Sequence, residues 1–385
     1  MTDSVTVLRG GESLWSRQGD YQSTAKSGSM AIDYDAIREA NLKEYGTGTR
    51  LLALLGTLYS DRTHFVFELL QNAEDAGASQ VFFDLHAERL EFYHDGRPFN
   101  ENDVKGICGV ADSTKTEDLT TIGRFGIGFK SVYAYTDSPE IHCGTEHFRI
   151  EHYVRPFSCG PKNVPDRRTT RFDFPFQYEN GVDPSEEIGQ RLRCLELRTL
   201  LFLHNIHRIE WNDENGNSGS VERESEPFGT GSRIFLEQEQ EDGETLVEDW
   251  LVFSRRVYQG DGREGGKVQV AFFLHEEDDE CFVAPANQTE LFVFFPTEKE
   301  THLGFLVQGP FRTTPARDNI PRQDPWNRKL VEEIAQLTVE ALELLKNKQL
   351  LSVGVLEAMP LAVENFPRDS MFRPLYVSCR QLCLT

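Results

Sequence analysis

Apolar and polar positions follow two rhythms along this chain, and the switches between them mark out the elements. From residue 32 the segment AIREANLKEYG has helical spacing, and TRLLALLGTLY continues it. A second helix is predicted over residues 61–76, closed by Gly77, a residue suited to the left-handed position after a helix end. Residues 80–85 and 89–93 have strand character with a short turn between them. Residues 100–124 mix polar positions with isolated apolar anchors, and a movable connection is expected there. A further helix is predicted from Gly126 to Tyr135, and strands over 140–143, 148–152 and 170–174.

Near residue 185 the texture changes. A helix over 185–202 leads to strand-like segments at 208–211, 232–237, 267–274 and 290–295, and a long amphipathic helix covers 327–347. The acidic runs EQEQEDGE and HEEDDE between them read as solvated loops. The expected organisation is a flexible arm over 1–30, a first α/β domain over 31–184, a second over 185–350, and a C-terminal extension over 351–385 of a chain that extends further.

A chain of 385 residues, 38% hydrophobic and 27% charged, is a globular chain with room for two cores. The opening MTDSVTVLRGGESLW lacks a basic start and an apolar centre, and no apolar run reaches the ~18 residues of a membrane span. A cytoplasmic protein with no membrane partner is expected. Cys108, Cys143, Cys159, Cys194, Cys281, Cys379 and Cys383 are scattered, without paired metal-site spacing, and read as reduced packing thiols. The net charge of −23 repels bare nucleic acid over most of the surface.

Three segments carry chemistry. On FELLQNAEDAGA, Glu68, Asn72 and Asp75 share one helical stripe, while Val66, Leu69, Leu70 and Ala73 are free to face a core. Magnesium prefers oxygen ligands: an Asn72 carbonyl can bind it, and Glu68, one turn away, can deprotonate an attacking water. By itself the stripe also suits a solvated helix face. In HDGRPF, Asp95 at a strand end can accept from an adenine amino group, and Gly96 lets the backbone approach the base; a plain Asp-Gly turn reads the same. In IGRFGIGFKSVY, Gly123, Gly126 and Gly128 expose backbone N–H groups at a helix start, suited to phosphate, with Lys130 as a point charge.

In this order and proximity the three segments resemble the ATPase superfamily of gyrase B, the ninety-class heat-shock chaperones, histidine kinases and MutL. The resemblance implies an α/β (α+β) Bergerat-type ATP-binding sandwich of a mixed sheet and helices, followed by a second α/β domain similar to the ribosomal S5-like transducer. It implies ATP and Mg2+ as cofactors, Glu68 as general base, Asn72 as magnesium ligand and Asp75 as a further acid. Gly123, Phe125, Gly126, Ile127, Gly128, Phe129 and Lys130 would form the phosphate segment. The family's Asp-Asn-Gly-x-Gly turn, aligned on Gly96, puts His94 where the family has Asp and Pro98 where it has the second Gly. Asp95, as the turn's one acid, is expected to read adenine, with Thr170 assisting from the strand that begins at Thr169-Thr170. LYSDRTHFVFELLQNAEDA and FFPTEKETHLGFLVQGPF narrow the resemblance to the sacsin-like and NO VEIN-like branch, over roughly residues 32–350.

The resemblance also implies a basic residue sent back to the γ-phosphate from the second domain. Arg312, Arg317 and Arg322 are candidates, Arg317 the favoured one; pairing with Asp318 and Asp324 is the alternative. Closure of residues 103–124 as a lid, slow ATP hydrolysis and action on a protein client are expected, with an ATP-dependent homodimer as a possible assembly. The alternative is a nucleotide-gated module of a nucleic-acid-directed or anti-phage defence complex, which the acidic surface does not support.

Overall fold

The strand-forming segments from residue 80 onward come together, in a computed structural model of the protein, as one open sheet with helices packed on it. The structure describes residues 32–46, 61–109, 128–178, 181–239, 244–277, 280–313 and 320–384, and the counts below refer to these. The arm expected over 1–30, the helix expected at 49–59, most of the expected lid, and Gly123, Phe125, Gly126, Ile127 and Arg317 lie outside the described residues.

Fifteen strands form the sheet. They are β1 (Gln80–Leu85), β2 (Arg89–His94), β3 (Glu140–Cys143), β4 (Glu146–Glu151), β5 (Arg155–Ser158), β6 (Thr170–Pro175), β7 (Arg208–Asp213), β8 (Ser218–Phe228), β9 (Gly231–Glu239), β10 (Thr245–Tyr258), β11 (Glu264–Glu277), β12 (Glu280–Ala284), β13 (Glu290–Val293), β14 (Phe295–Glu300) and β15 (Leu306–Gln308). The order is β14-β13-β15-β11-β10-β9-β8-β7-β1-β2-β6-β3-β4-β5, with β12 beside β11. Pairing is antiparallel except for β1 with β7 and β13 with β15. The architecture is therefore mixed α/β with a large, mostly antiparallel sheet.

Seven α-helices accompany it: α1 (Tyr34–Tyr45), α2 (Phe65–Asp75), α3 (Glu101–Cys108), α4 (Pro184–Arg193), α5 (Pro325–Asn347), α6 (Val353–Ala358) and α7 (Arg373–Cys383). The end of α2 follows from its sequence: Gly77 sits at φ +70, and the amide of Ala78 reaches back to the carbonyl of Ala73 at 2.9 Å. Its start is a 3-10 turn, Arg62–His64, with Asp61 accepting from the Thr63 amide at 2.8 Å.

Two apolar clusters hold the fold. One gathers α2, the 3-10 helix Gly128–Ala134 and the Phe83, Phe92 and Phe172 face of β1, β2 and β6. The other gathers α5, α7 and one face of β10 and β11. Alternation along β10 serves both, Trp250 and Val252 entering the first cluster and Leu251 and Phe253 the second. That is why WLVF is an unbroken apolar run: both faces of this strand are covered.

Several expectations change. The segment from Gly128 is a 3-10 helix, with Ser131 Oγ donating to the Gly128 carbonyl at 2.6 Å. The helix expected over 185–202 stops at Arg193, and Leu197–Leu200 is a separate 3-10 turn. The acidic runs are not plain loops: residues 237–239 end β9, and residues 275–277 end β11. Residues of the expected C-terminal extension, among them Phe366, Leu375 and Cys379, are buried in the second cluster.

Candidate functional site

Helix α2 lays its apolar residues on the sheet, and this fixes where its polar stripe emerges. Glu68 is 3% exposed, an unusual burial for a carboxylate. Its position is defined by Gly128, the last glycine of the glycine-rich segment. A Cβ built on Gly128 would stand 1.8 Å from Glu68 Oε2. The carboxylate therefore occupies the space that only a glycine leaves at that point. On its other side, His64 Nε2 lies 3.5 Å from Glu68 Oε1, one helical turn back. Asn72, one turn onward, is half-buried, and so is Asp75. Asp75 contributes to the field that raises the Arg97 pKa, after the hydrogen bond that the guanidinium donates to Asp103.

The turn after β2 is organised differently from the expectation. Asp95 accepts from the amides of Ser79 at 2.7 Å and Gln80 at 2.9 Å, and from the Ser79 hydroxyl. Burial opposes its ionisation, but these donors more than offset it and hold the carboxyl below its usual range. Its lone pairs thus anchor the start of β1. The close approach permitted by Gly96 is to the end of α2, where a Cβ would lie 2.8 Å from the Ala76 carbonyl oxygen. Arg97 makes a two-pronged ion pair with Asp103, at 2.5 and 2.8 Å, and so ties the turn to the capped start of α3.

His94, at the family's Asp position, is buried and pairs directly with Thr170 across β2 and β6. Burial depresses its pKa to about 4, so the imidazole is neutral near pH 7. Its Nδ1 accepts from the Gly96 amide at 3.1 Å, which leaves the ring proton on Nε2. His94 is therefore a hydrogen-bond donor where a carboxylate would accept. Thr170 is fully buried and its hydroxyl meets Cys143 Sγ at 3.2 Å. Thr169 bonds the carbonyls of His94 and Gly96.

Two members of the phosphate segment are committed to the interior. Phe129 is a core ring, 6.1 Å from Phe172 and 6.3 Å from Phe174. Lys130 is fully buried; its ammonium donates to the carbonyls of Ile107 at 2.6 Å and Tyr153 at 2.5 Å. Burial lowers its pKa to about 8. It satisfies the end of α3 and the β4–β5 turn rather than offering an exposed point charge. Of the arginines, Arg312 lies 3.4 Å from Asp324 and Arg322 lies 3.1 Å from Asp369.

The structure thus brings Glu68 to Gly128 with Asn72 on the same stripe, and His94 to Thr170; it turns Asp95, Phe129 and Lys130 to structural work. Sequence reasoning missed His64, whose i to i+4 relation to Glu68 was available. It also missed Glu74, which accepts from the amides of His204 at 2.7 Å, Asn205 at 2.9 Å and Ile206 at 2.8 Å. Among the described residues, the groups of side chains able to gather a metal are Glu140, His142 and Cys159, and Asp84, His86 and Glu91; neither includes the α2 stripe. No helix of the described residues is long and apolar enough to cross a membrane.

The α2 stripe and the glycine segment fall inside one matched region. The Sacsin domain family matches residues 48–151. The chain is homologous to Protein NO VEIN of Arabidopsis thaliana, 26% identical over 325 residues, which covers 77% of this chain and 12% of that protein. It is also homologous to Sacsin of Homo sapiens, 23% identical over 413 residues, covering 79% of this chain and 9% of that protein. The chain therefore spans about a tenth of the length of these relatives.

Proposed function

We propose that this chain is an ATP-binding and ATP-hydrolysing module of the gyrase B, heat-shock chaperone and MutL type, built on a Bergerat-like sandwich with a transducer-like second half. The observation that carries the reading is the buried Glu68 carboxylate lying directly against Gly128, with the Asn72 amide one turn further along α2. A buried acid next to a glycine-rich segment is suited to take a proton from water beside a phosphate. Asn72 would supply an oxygen ligand to a magnesium ion, a metal that prefers oxygen donors. The bound ion would neutralise charge on the triphosphate; the protein's part is to position it and activate water.

His64 acts on Glu68 through their 3.5 Å approach, orienting the carboxylate. His94 and Thr170 mark the base end of the site. With its proton on Nε2, His94 would donate to an adenine ring nitrogen, so base reading here differs from a carboxylate accepting the amino group. Lid closure by residues 103–124, an arginine arriving from residues 312–322, slow turnover and action on a protein client complete the proposal. The net charge of −23 favours a protein client over nucleic acid.

The test is hydrolysis and binding measured together. Wild-type protein should release phosphate from MgATP, and Glu68→Ala should remove that release while a nonhydrolysable ATP analogue still binds. Undiminished turnover in Glu68→Ala, or no affinity of the wild type for adenine nucleotides with magnesium present, would refute it. Stimulation by a non-native protein rather than by DNA or RNA would identify the client class.

A further inference from the structure

Strands β2, β6 and β3 carry a polar face opposite the aromatic one. Glu91, Asp173 and Glu140 stand in one row across them, and Tyr93, Arg171 and His142 in the next. Most of these charges cancel locally. Arg171 reaches Glu91 at 2.7 Å and Asp173 at 2.6 Å, and Lys162 reaches Asp173 at 2.8 Å and Glu140 at 2.7 Å.

His142 stands apart from this pairing. Its side chain is fully buried, and its Nε2 makes no hydrogen bond although it lies 3.4 Å from Glu140 Oε2. Cys159, just past β5, completes a group whose ligand atoms with Glu140 and His142 all fall within 4.8 Å of one another. Ligands on a tetrahedral zinc ion stand about 3.3–3.6 Å apart, which the Glu140–His142 pair already meets. His142 Nδ1 lies 3.2 Å from His147 Nδ1. With His142 Nδ1 as the donor in that contact, the lone pair is left on Nε2, the arrangement in which a second imidazole orients a ligating one.

We propose that Glu140, His142 and Cys159 form a zinc-binding site with water in the fourth position. The mixed nitrogen, sulfur and oxygen set suits Zn2+ better than a hard cation. Binding releases the Cys159 thiol proton to solvent, so one thiolate and one carboxylate balance the ion and the half-buried site carries no net charge. Lys162 is the built-in competitor, because its ammonium already lies on Glu140. Metal binding leaves it paired with Asp173 alone, and the site staples β3 to the segment beyond β5.

The probes are Zn2+ and Co2+ added singly to the purified chain. Wild-type protein should bind one ion and, with Co2+, show a thiolate-to-metal charge-transfer band. Cys159→Ser should lose the band, His142→Ala should bind at least about a hundredfold more weakly, and Cys194→Ser should behave as wild type. Lys162→Gln, which removes a competing charge, should bind roughly tenfold more tightly, an effect that misfolding does not produce. A wild type without the band, a band surviving in Cys159→Ser, or unimproved affinity in Lys162→Gln would each overturn the assignment.

Discussion

Gly128→Ala isolates the geometry on which the proposed hydrolysis depends. Gly128 is not in the left-handed region, so the backbone accepts alanine there and the methyl is the whole perturbation. That methyl would stand 1.8 Å from Glu68 Oε2, 2.5 Å from its Cδ and 3.2 Å from Oε1. A non-bonded contact of this kind needs at least 3.0 Å, so the carboxylate must retreat by about 1.2 Å. Misplacing a reacting group by about 1 Å costs on the order of a hundredfold in rate. Asn72 is not displaced, so nucleotide affinity should change far less. The assay is phosphate release at saturating MgATP, run beside binding of a nonhydrolysable analogue and urea unfolding. Turnover should fall about a hundredfold, with analogue affinity within roughly threefold, about 0.7 kcal/mol. A folded Gly128→Ala protein that hydrolyses ATP within about twofold of wild type would show that the position of Glu68 does not matter to the chemistry.

Two further outcomes test the supports of the site. Glu74→Gln places an amide donor among the amides of His204, Asn205 and Ile206 and should cost about 2–3 kcal/mol in urea unfolding; an unchanged midpoint would show that this tie is not holding α2. His94 titrates at about 4 in the folded chain against 6.5 when unfolded, so the unfolded state takes up its proton first on acidification. The His94 contribution is present above pH 6.5 and is lost as pH falls towards 4. His94→Gln should flatten that acid limb in unfolding measured between the two values; an identical pH dependence in the variant would place the titration elsewhere.

What was legible in the sequence is what local spacing encodes. The stripe of Glu68, Asn72 and Asp75, the stop at Gly77 and the alternation of β1, β2, β3 and β6 are all set within a few residues of chain. The role of Asp95 is not local: its donors Ser79 and Gln80 sit 16 and 15 residues earlier and are brought back by the β1–β2 hairpin. Lys130 looked like a phosphate ligand because a glycine segment precedes it; its carbonyl partners, each 23 residues away, became available only once α3 and the β4–β5 turn had packed. Strand β8, SGSVERESEPF, carries mostly polar residues and is held as a strand by β7 and β9 on its two sides. β10 was passed over for the opposite reason: a segment covered on both faces loses the alternation that identifies a strand.

Helix α2 has two ends with different attachments, and this bears on how nucleotide chemistry would leave the site. Near its start, Glu68 lies on Gly128. At its far end, Glu74 grips the amides of residues 204–206, and β7, which begins at Arg208, runs parallel to β1. The same helix therefore touches Gly128 at one end and is hydrogen-bonded to the entry of the β7–β11 portion of the sheet at the other. Four apolar residues, Val66, Leu69, Leu70 and Ala73, are buried along this helix, and a close-packed face of this kind resists bending. A displacement of Glu68 against Gly128 would, on the proposed function, be felt at the Glu74 attachment as well. On the proposed function, α2 is the element that links the state of the phosphate to the second half of the chain.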